Sequence, residues 1–481
     1  MVQGERSHIA IIGAGIVGLA FAVALNALDK EHKFAIDLYE ATPELAEIGA
    51  GINVWPLTLS ILKEMGLHQT LIPFFDHYPD LERRVIFGLR KADEKNGFHV
   101  YDVMNEGGAL RIHRADLQRG LIQHLPLSKS NKVHINTPCT FHLNHRLKDY
   151  TRDASENFGR IKLHFDGKPS RECDVLIGAD GIHSTVRQLF LSRLPSPEKY
   201  DKYRKPVWSG LVAYRGLVSR EDLEETYPGH RALTHPGLIY TGKTRYVTIY
   251  PVSGGKFINV VAIARDTSND TGVWKGPWKV EVTQEEFFHT YQGFDEEVLA
   301  LIHCIKKPTK WALHVLDHLD IFSKQQVFLM GDAAHAMLPH LGAGATVGIE
   351  DAYILASMLT HQSTSRPLNS EKIKLISTIY NTVLVPHATR MSKLTNDTGH
   401  LLDLTAPGFD LEHYTLGDRI PLETLINAFR QVERNWIWSS SDPEEDLTSS
   451  LPMQAAHVVM CHMVARSLAA SYGGATTQKA F

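Results

Sequence analysis

Gly13-Ala14-Gly15-Ile16-Val17-Gly18 is a GxGxxG run set directly between the apolar stretch His8 to Ile12 and the small and apolar residues Leu19 to Leu28. Gly13 permits a tight turn, Gly15 removes the side chain that would block a pyrophosphate, and Gly18 lets helix and strand pack closely. The N–H groups that open such a helix face the anion. Glu40 stands 22 residues after Gly18, at the end of the run Phe34 to Tyr39, where a carboxylate accepts hydrogen bonds from ribose hydroxyls. The chemistry this spacing predicts is dinucleotide binding. The competing reading is a glycine turn in an unrelated α/β protein, with Glu40 merely solvated.

Two further motifs follow apolar runs. Gly178-Ala179-Asp180-Gly181, continuing to Arg187, comes after Asp174 to Ile177; by its residues alone, Asp180-Gly181 is a turn and Asp180 a helix N-cap. Gly331-Asp332-Ala333-Ala334-His335, continuing through Pro339-His340 to Gly342-Ala343-Gly344-Ala345, comes after Val327 to Met330. Small residues at 342 to 345 leave backbone N–H groups bare before a helix, which suits a flat, electron-rich ring or an anion. Asp332, at a strand's end, can accept from a sugar hydroxyl. His335 and His340 lack the cysteine or carboxylate spacing of a metal site, so no metal is expected.

The elements that must position these groups read as a βαβ opening: strand His8 to Ile12, glycine turn, helix Leu19 to Leu28, strand Phe34 to Tyr39. Val100 to Leu125 reads as a polar strand and then an amphipathic helix starting near Arg114, and Asp174 to Ile177 as a buried strand. From about Val207 to Val315, β-branched and aromatic runs such as Val247 to Tyr250 and Phe257 to Ala264 alternate with turn signals, which predicts a mainly β region. Val327 to Met330 is a further buried strand, and Ile349 to Leu359 and the chain beyond Glu371 look helical, with a polar break at Ser439 to Asp446. The expected fold is α/β. A Rossmann-like dinucleotide domain occupies 1–200 and returns at 316–400, around an inserted β-rich substrate domain at 201–315, with a helical region at 401–481.

Composition narrows the partners. The 481 residues are 43% hydrophobic and 22% charged, with a net charge of -4, so neither disorder nor a global basic field for nucleic acid or anionic lipid is indicated. Small molecules are the expected partners. Cys139, Cys173, Cys304 and Cys461 are far apart, which fits a reduced, cytoplasmic protein better than a disulfide scaffold. Residues 1–10 do not read as a signal peptide, and Leu451 to Ala470 carries two histidines, a glutamine and an arginine, so an amphipathic helix is expected there and not a membrane span.

The three motifs, in this order and at these distances, resemble the group A FAD-dependent aromatic monooxygenases of the salicylate hydroxylase type, over about residues 8 to 400. The resemblance implies that Gly13, Gly15, Gly18 and Glu40 hold the ADP half of FAD and that Asp332 contacts the linker between its halves. It also implies that Gly342, Gly344 and Ala345 lie along the isoalloxazine, and that Asp180 belongs to a motif associated with both FAD and NAD(P)H. Glu47 to Ile52 and His113 to Leu117 are similar to the segments flanking the flavin, which adds Gly51, Asn53 and Arg114 to the cofactor contacts; Pro339 lies near the reacting edge. Trp436-Ile437-Trp438 with Asp442-Pro443 is similar to the family's C-terminal region. Two departures stand out, Ala343 where a glutamine is common and Thr346 where a small residue or Asn is usual.

On the substrate side, fungal members that hydroxylate phenols hold a phenolate with an arginine assisted by a tyrosine. Arg215 is the candidate for the first role, against a surface ion pair with Glu221. Tyr246 and Tyr250 share one strand face and are the candidates for the second, with Tyr250 ahead. A fixed cation lowers a phenol's pKa and raises the ring's electron density. The implied activity is hydroxylation of a phenolic or salicylate-like ring with NADPH or NADH and O2. FAD is reduced, dioxygen adds at the flavin C4a to form a hydroperoxide, and the ring takes its distal oxygen. The alternatives are an FAD-dependent reductase or dehydrogenase that does not activate oxygen, and a non-catalytic binder. A homodimer is left open.

Overall fold

In the computed structural model, residues 6–45, 51–75, 78–80, 82–126, 138–152, 159–266, 272–361 and 368–436 are described. Glu47 to Ala50, Trp438, Asp442-Pro443 and the segment Leu451 to Ala470 lie outside them. The βαβ opening forms as its pattern dictates. Strands Ser7–Ile12 and Phe34–Tyr39 pair in parallel through the helix Ile16–Leu28, whose residues are apolar or small nearly all round because it is buried nearly all round. The strand Val175–Gly178 lies on the other side of Ser7–Ile12 and Val327–Leu329 lies beyond it, both parallel, so all three motifs leave neighbouring strands at the same sheet end. Ligands of open α/β sheets bind beyond the strands' carboxyl ends. The helix Gly344–Thr360 packs on the first helix so closely that a Cβ on Gly348 would stand 2.4 Å from Val17 Cγ2.

The second layer is an eight-stranded sheet. Its order runs Lys279–Glu281, Thr309–Val315, Val207–Ser219, Phe257–Arg265, Arg245–Val252, Leu238–Gly242, Arg83–Lys91, Phe98–Glu106. The last two strands come from the stretch read as the first domain, so the sheet does not follow the division of the chain at residue 200. Pairing across some 150 residues of sequence leaves no local signature. Alternation sends one side chain of each pair to either face. Val212, Tyr214, Val218, Tyr240, Val247, Ile249, Val260 and Ala262 form a core with the helices Gln284–Thr290 and Glu296–Cys304. The other face looks toward the first domain. A two-stranded ribbon, Gly51–Val54 with Leu110–His113, lies between the layers, and the helices Ser370–Leu402 and Leu422–Trp436 close the far side. Among the described residues no helix is long and apolar enough to cross a membrane.

Candidate functional site

Two adjoining cavities, about 630 and 300 Å3, run along the carboxyl ends of the parallel strands and under the open face of the large sheet, sharing Gly15, Ala179 and Gly181. The smaller takes in Gly13, Gly15, Glu40 and Asp180. The larger takes in Gly15, Gly51, Asn53, Arg114, Arg215, Tyr246, Tyr250, Asp332, Pro339, Gly342, Gly344 and Ala345. Gly18 lines neither: it stands behind the turn, where a Cβ would meet Gly13 O at 2.0 Å.

At the smaller cavity the chain's own hydrogen bonds shape the turn. Gly13 has φ +104, and a Cβ there would lie 2.4 Å from Ala179 O, so the glycine sets both the conformation and the approach of the first motif to the second. A Cβ on Gly15 would meet nothing within 4 Å and would project into open space, the space a pyrophosphate needs. Glu40 accepts from Ala14 N at 3.0 Å and from Thr42 N at 2.9 Å. Asp180 accepts from Ser184 Oγ, Thr185 N (2.7 Å) and Val186 N (3.1 Å) while still lining the cavity; the N-cap of the helix Thr185–Ser192 is Ser184, not Asp180 as the residues suggested, so Asp180 adds its carboxylate to the same first turn from the loop before it. Burial pushes its carboxyl up. Arg187, from the same motif, is fully buried and donates to Ile182 O (2.6 Å) and Ala333 O (3.2 Å), tying the second motif to the third. Burial brings its guanidinium down to about 10.

The third motif is held by a buried pair. Asp351 accepts from Gly331 N (2.9 Å) and from His335 Nε2 (2.6 Å), which fixes the turn before Asp332. Asp332 itself is exposed on the cavity wall. Gly342 has φ +61, and a Cβ there would stand 3.3 Å from Asn53 Nδ2. Among the described residues Asn53 Oδ1 is buried without a hydrogen-bond partner. Thr346, one of the departures, donates to Ala343 O at 2.7 Å and so serves the first turn of its helix. Among the described residues no group of three or more His, Cys, Asp or Glu side chains is placed to hold a metal.

The large cavity's other wall is the open sheet face. Tyr246, Thr248 and Tyr250 lie opposite Ile263, Val261 and Asn259, and Arg215 lies opposite Val261 on one side and Thr309 on the other; all face the cavity. Arg215 sits deep in the protein, its remaining exposure directed to the cavity, with its guanidinium 5.4 Å from the Trp311 ring centroid. It has no ion pair among the described residues, with Glu221 or any other carboxylate, and its Nε is buried without a partner. Burial holds its pKa below the ordinary arginine value, with nearby Tyr250 opposing and Arg114 adding to the depression. Tyr250 donates to Gly51 O at 3.2 Å, and Tyr246 hydrogen-bonds His340 Nδ1. Both hydroxyls therefore tether the sheet to the cofactor side. Burial raises the pKa of each, and burial holds the His340 imidazole down to about 3, so it is neutral.

Trp311, Thr309, Asn259, Thr248 and Lys307 line this cavity without having been singled out in the sequence. Strand alternation around Arg215 and Tyr250 was the signal for Thr248 and Asn259; Trp311 and Lys307 needed the pairing of Thr309–Val315 with Val207–Ser219. Trp436 completes the wall from the C-terminal helix.

Residues 6–367 match the family described as "FAD binding domain". This chain belongs to that family, as an FAD-dependent aromatic monooxygenase. It is 31% identical over 437 residues to salicylate hydroxylase of Pseudomonas putida, covering 90% of this chain and 91% of that one. It is 32% identical over 385 residues to 6-methylsalicylate 1-monooxygenase of Aspergillus terreus, covering 76% and 78%. A solved salicylate hydroxylase substrate complex superposes with a TM-score of 0.72 at 28% identity, covering 91% of this chain and 96% of that one. The cofactor is FAD, with NAD(P)H the electron donor typical of the family, and the reductase alternative is not favoured. The donor set fits FAD: an open Gly15 cradle, the orphan acceptor Asn53 Oδ1 and a cavity continuous from Glu40 to Ala345.

Proposed function

We propose that the chain hydroxylates a salicylate-like ring, an aromatic bearing a phenol and an ionised group, and that Arg215 anchors that anion. The observation that carries this reading is Arg215's guanidinium on the cavity wall beside Trp311, with no ion pair among the described residues and its Nε buried without a partner. A buried cation without a counter-charge is costly, and an incoming anion relieves that cost. Gly13, Gly15, Glu40, Asp180 and Asp332 hold the ADP half and the linker of FAD, with Gly18 packing behind their turn, while Gly51, Asn53, Arg114, Pro339, Gly342, Gly344 and Ala345 surround its ring. Bound FAD, reduced by NAD(P)H, would activate dioxygen, one atom of which goes to the ring and the other to water. The chain's part is to bind, orient and keep dry. Arg215 holds the ring's ionised group, and its charge beside the phenol stabilises phenolate over phenol, which makes the ring carbon more nucleophilic. Trp311, Trp436, Leu338 and Met337 exclude water. Tyr250 and Tyr246 are positioning residues, since their hydroxyls are engaged with Gly51 O and His340. Three free thiols, Cys139, Cys173 and Cys304, support a reducing, cytoplasmic setting.

The test is a flavin spectrum of the purified protein, with NADH and NADPH oxidation and oxygen uptake measured on salicylates and neutral phenols. We expect oxygen-dependent turnover stimulated most by the anionic rings, with a hydroxylated product. Turnover indifferent to oxygen would overturn the reading.

A further inference from the structure

Among the described residues lining the large cavity, four are exposed: Arg114, Asp332, Leu217 and Lys307. The first two stand on the dinucleotide side. Leu217 and Lys307 stand on the opposite side, past Arg215 along its own strand and just before Thr309 on the paired strand. On the sheet side of the cavity these two are the exposed lining residues among those described. Leu217 is 51% exposed and Phe257, diagonally across on the neighbouring strand, is 40% exposed. Two large apolar side chains left half in water on one rim form a surface an aromatic ring can slide over.

The charges on this rim have one dominant sign. Lys307 has no ion pair among the described residues, whereas its neighbour Lys306 is paired with Asp222 at 3.4 Å. Lys279 Nζ lies 4.9 Å from the centroid of Trp311, the ring that also faces Arg215. Against these stands Glu281, opposite Thr309 on the edge strand. A cleft with low-dielectric walls and cations along its course concentrates anions at its mouth and speeds their association.

We propose that the gap between Leu217 and Lys307 is the substrate entrance, and that Lys307 is a steering residue that draws an anionic aromatic substrate inward to Arg215. This rests on the substrate class proposed above. Lys307 acts before chemistry, so its effect belongs in the association rate and in kcat/KM, and kcat at saturation keeps its value.

The experiment uses the FAD-loaded enzyme, with association followed by stopped-flow through the flavin absorbance change. Salicylate is the anionic probe and catechol the neutral one. Lys307→Glu slows salicylate association about tenfold at low ionic strength, leaves catechol unaffected, and loses most of its effect near ~0.5 M salt. Glu281→Gln speeds salicylate. Leu217→Trp slows both probes, and Leu217→Ala, which trims the rim without crowding the strand, does not slow either. Lys307→Glu with unchanged salicylate association would overturn the steering role, and Leu217→Trp with unchanged catechol association would overturn the entrance. Wild-type enzyme that binds catechol and rejects salicylate would sink the anionic substrate class and the steering with it, while the catechol arm would still decide where the entrance lies.

Discussion

The two ends of the cavity treat their charges in opposite ways. At the dinucleotide end two of the cavity's carboxylates are already engaged, Glu40 with Ala14 N and Thr42 N and Asp180 with Thr185 N and Val186 N, while Asp332 stands open on the wall. At the aromatic end Arg215 Nε and Asn53 Oδ1 are buried without partners among the described residues. The first end is a mould finished by the chain itself. The second is completed only by what binds there. Preorganisation costs stability where polar groups wait unpaired, and at Arg215 and Asn53 that cost is carried on the wall of the cavity itself.

The largest test strikes the mould. Valine at position 13 would need φ near +104 and would put its Cβ 2.4 Å from Ala179 O, two violations that no side-chain rotation relieves. Gly13→Val should abolish FAD retention altogether, read as loss of yellow colour, and cost roughly 3 kcal/mol or more of stability in a denaturant titration. A variant that purifies with full flavin would show that the turn is not the mould it is taken for.

The second strikes the waiting cation. Arg215→Met keeps length and apolar stem and removes the unpaired charge. Hydroxylation efficiency on an anionic ring should fall about 10²- to 10³-fold, as for loss of one preorganised charge donor. FAD content should be unchanged, and the melting temperature of the ligand-free protein should rise. Activity down with stability up is the signature of a group kept for function. A fall in both would mean that the guanidinium is already satisfied in the fold, and the contrast between the two ends would lose its basis.

The sequence carried the mould almost residue by residue. The strand Phe34 to Tyr39 and the turn at 13–18 rest on local periodicity and on glycines whose roles are steric, and such information lies within some thirty neighbouring residues. The aromatic end was legible only in part. Arg215 and the shared face of Tyr246 and Tyr250 follow from resemblance and alternation, but their partners do not. Gly51 and His340, which take up the two hydroxyls, are 199 and 94 residues away from them. Trp311 and Lys307 reach the cavity because Thr309–Val315 pairs with Val207–Ser219, and Arg83–Lys91 joins the same sheet by a parallel pairing with Leu238–Gly242. Such pairings are decided by the whole fold.

The smallest test asks whether the aromatic end also holds a histidine against its preference for protons. His340 is buried beside Tyr246, and burial, together with the Arg265 cation and the neighbouring His400 imidazole, holds it down to about 3, below its ordinary 6.5. The folded form then binds fewer protons than the unfolded one between those two values. Its contribution to stability is intact above about pH 6.5 and is lost progressively as pH falls toward 3, at up to about 1.4 kcal/mol per pH unit. Asp295, which burial raises to about 6, acts in the opposite sense: its contribution is full below its ordinary 3.8 and is lost as pH rises through 6. The wild-type slope is therefore a sum, and the difference from a variant isolates one term. His340→Gln keeps an acceptor for the Tyr246 hydroxyl and cannot titrate. Urea unfolding at pH 7.5 and 5.5 should show wild type losing about 1.4 kcal/mol more than the variant. Equal losses would mean that His340 protonates freely in the folded protein, and that the aromatic end is better solvated, and its unpaired charge cheaper, than the contrast with the dinucleotide end requires.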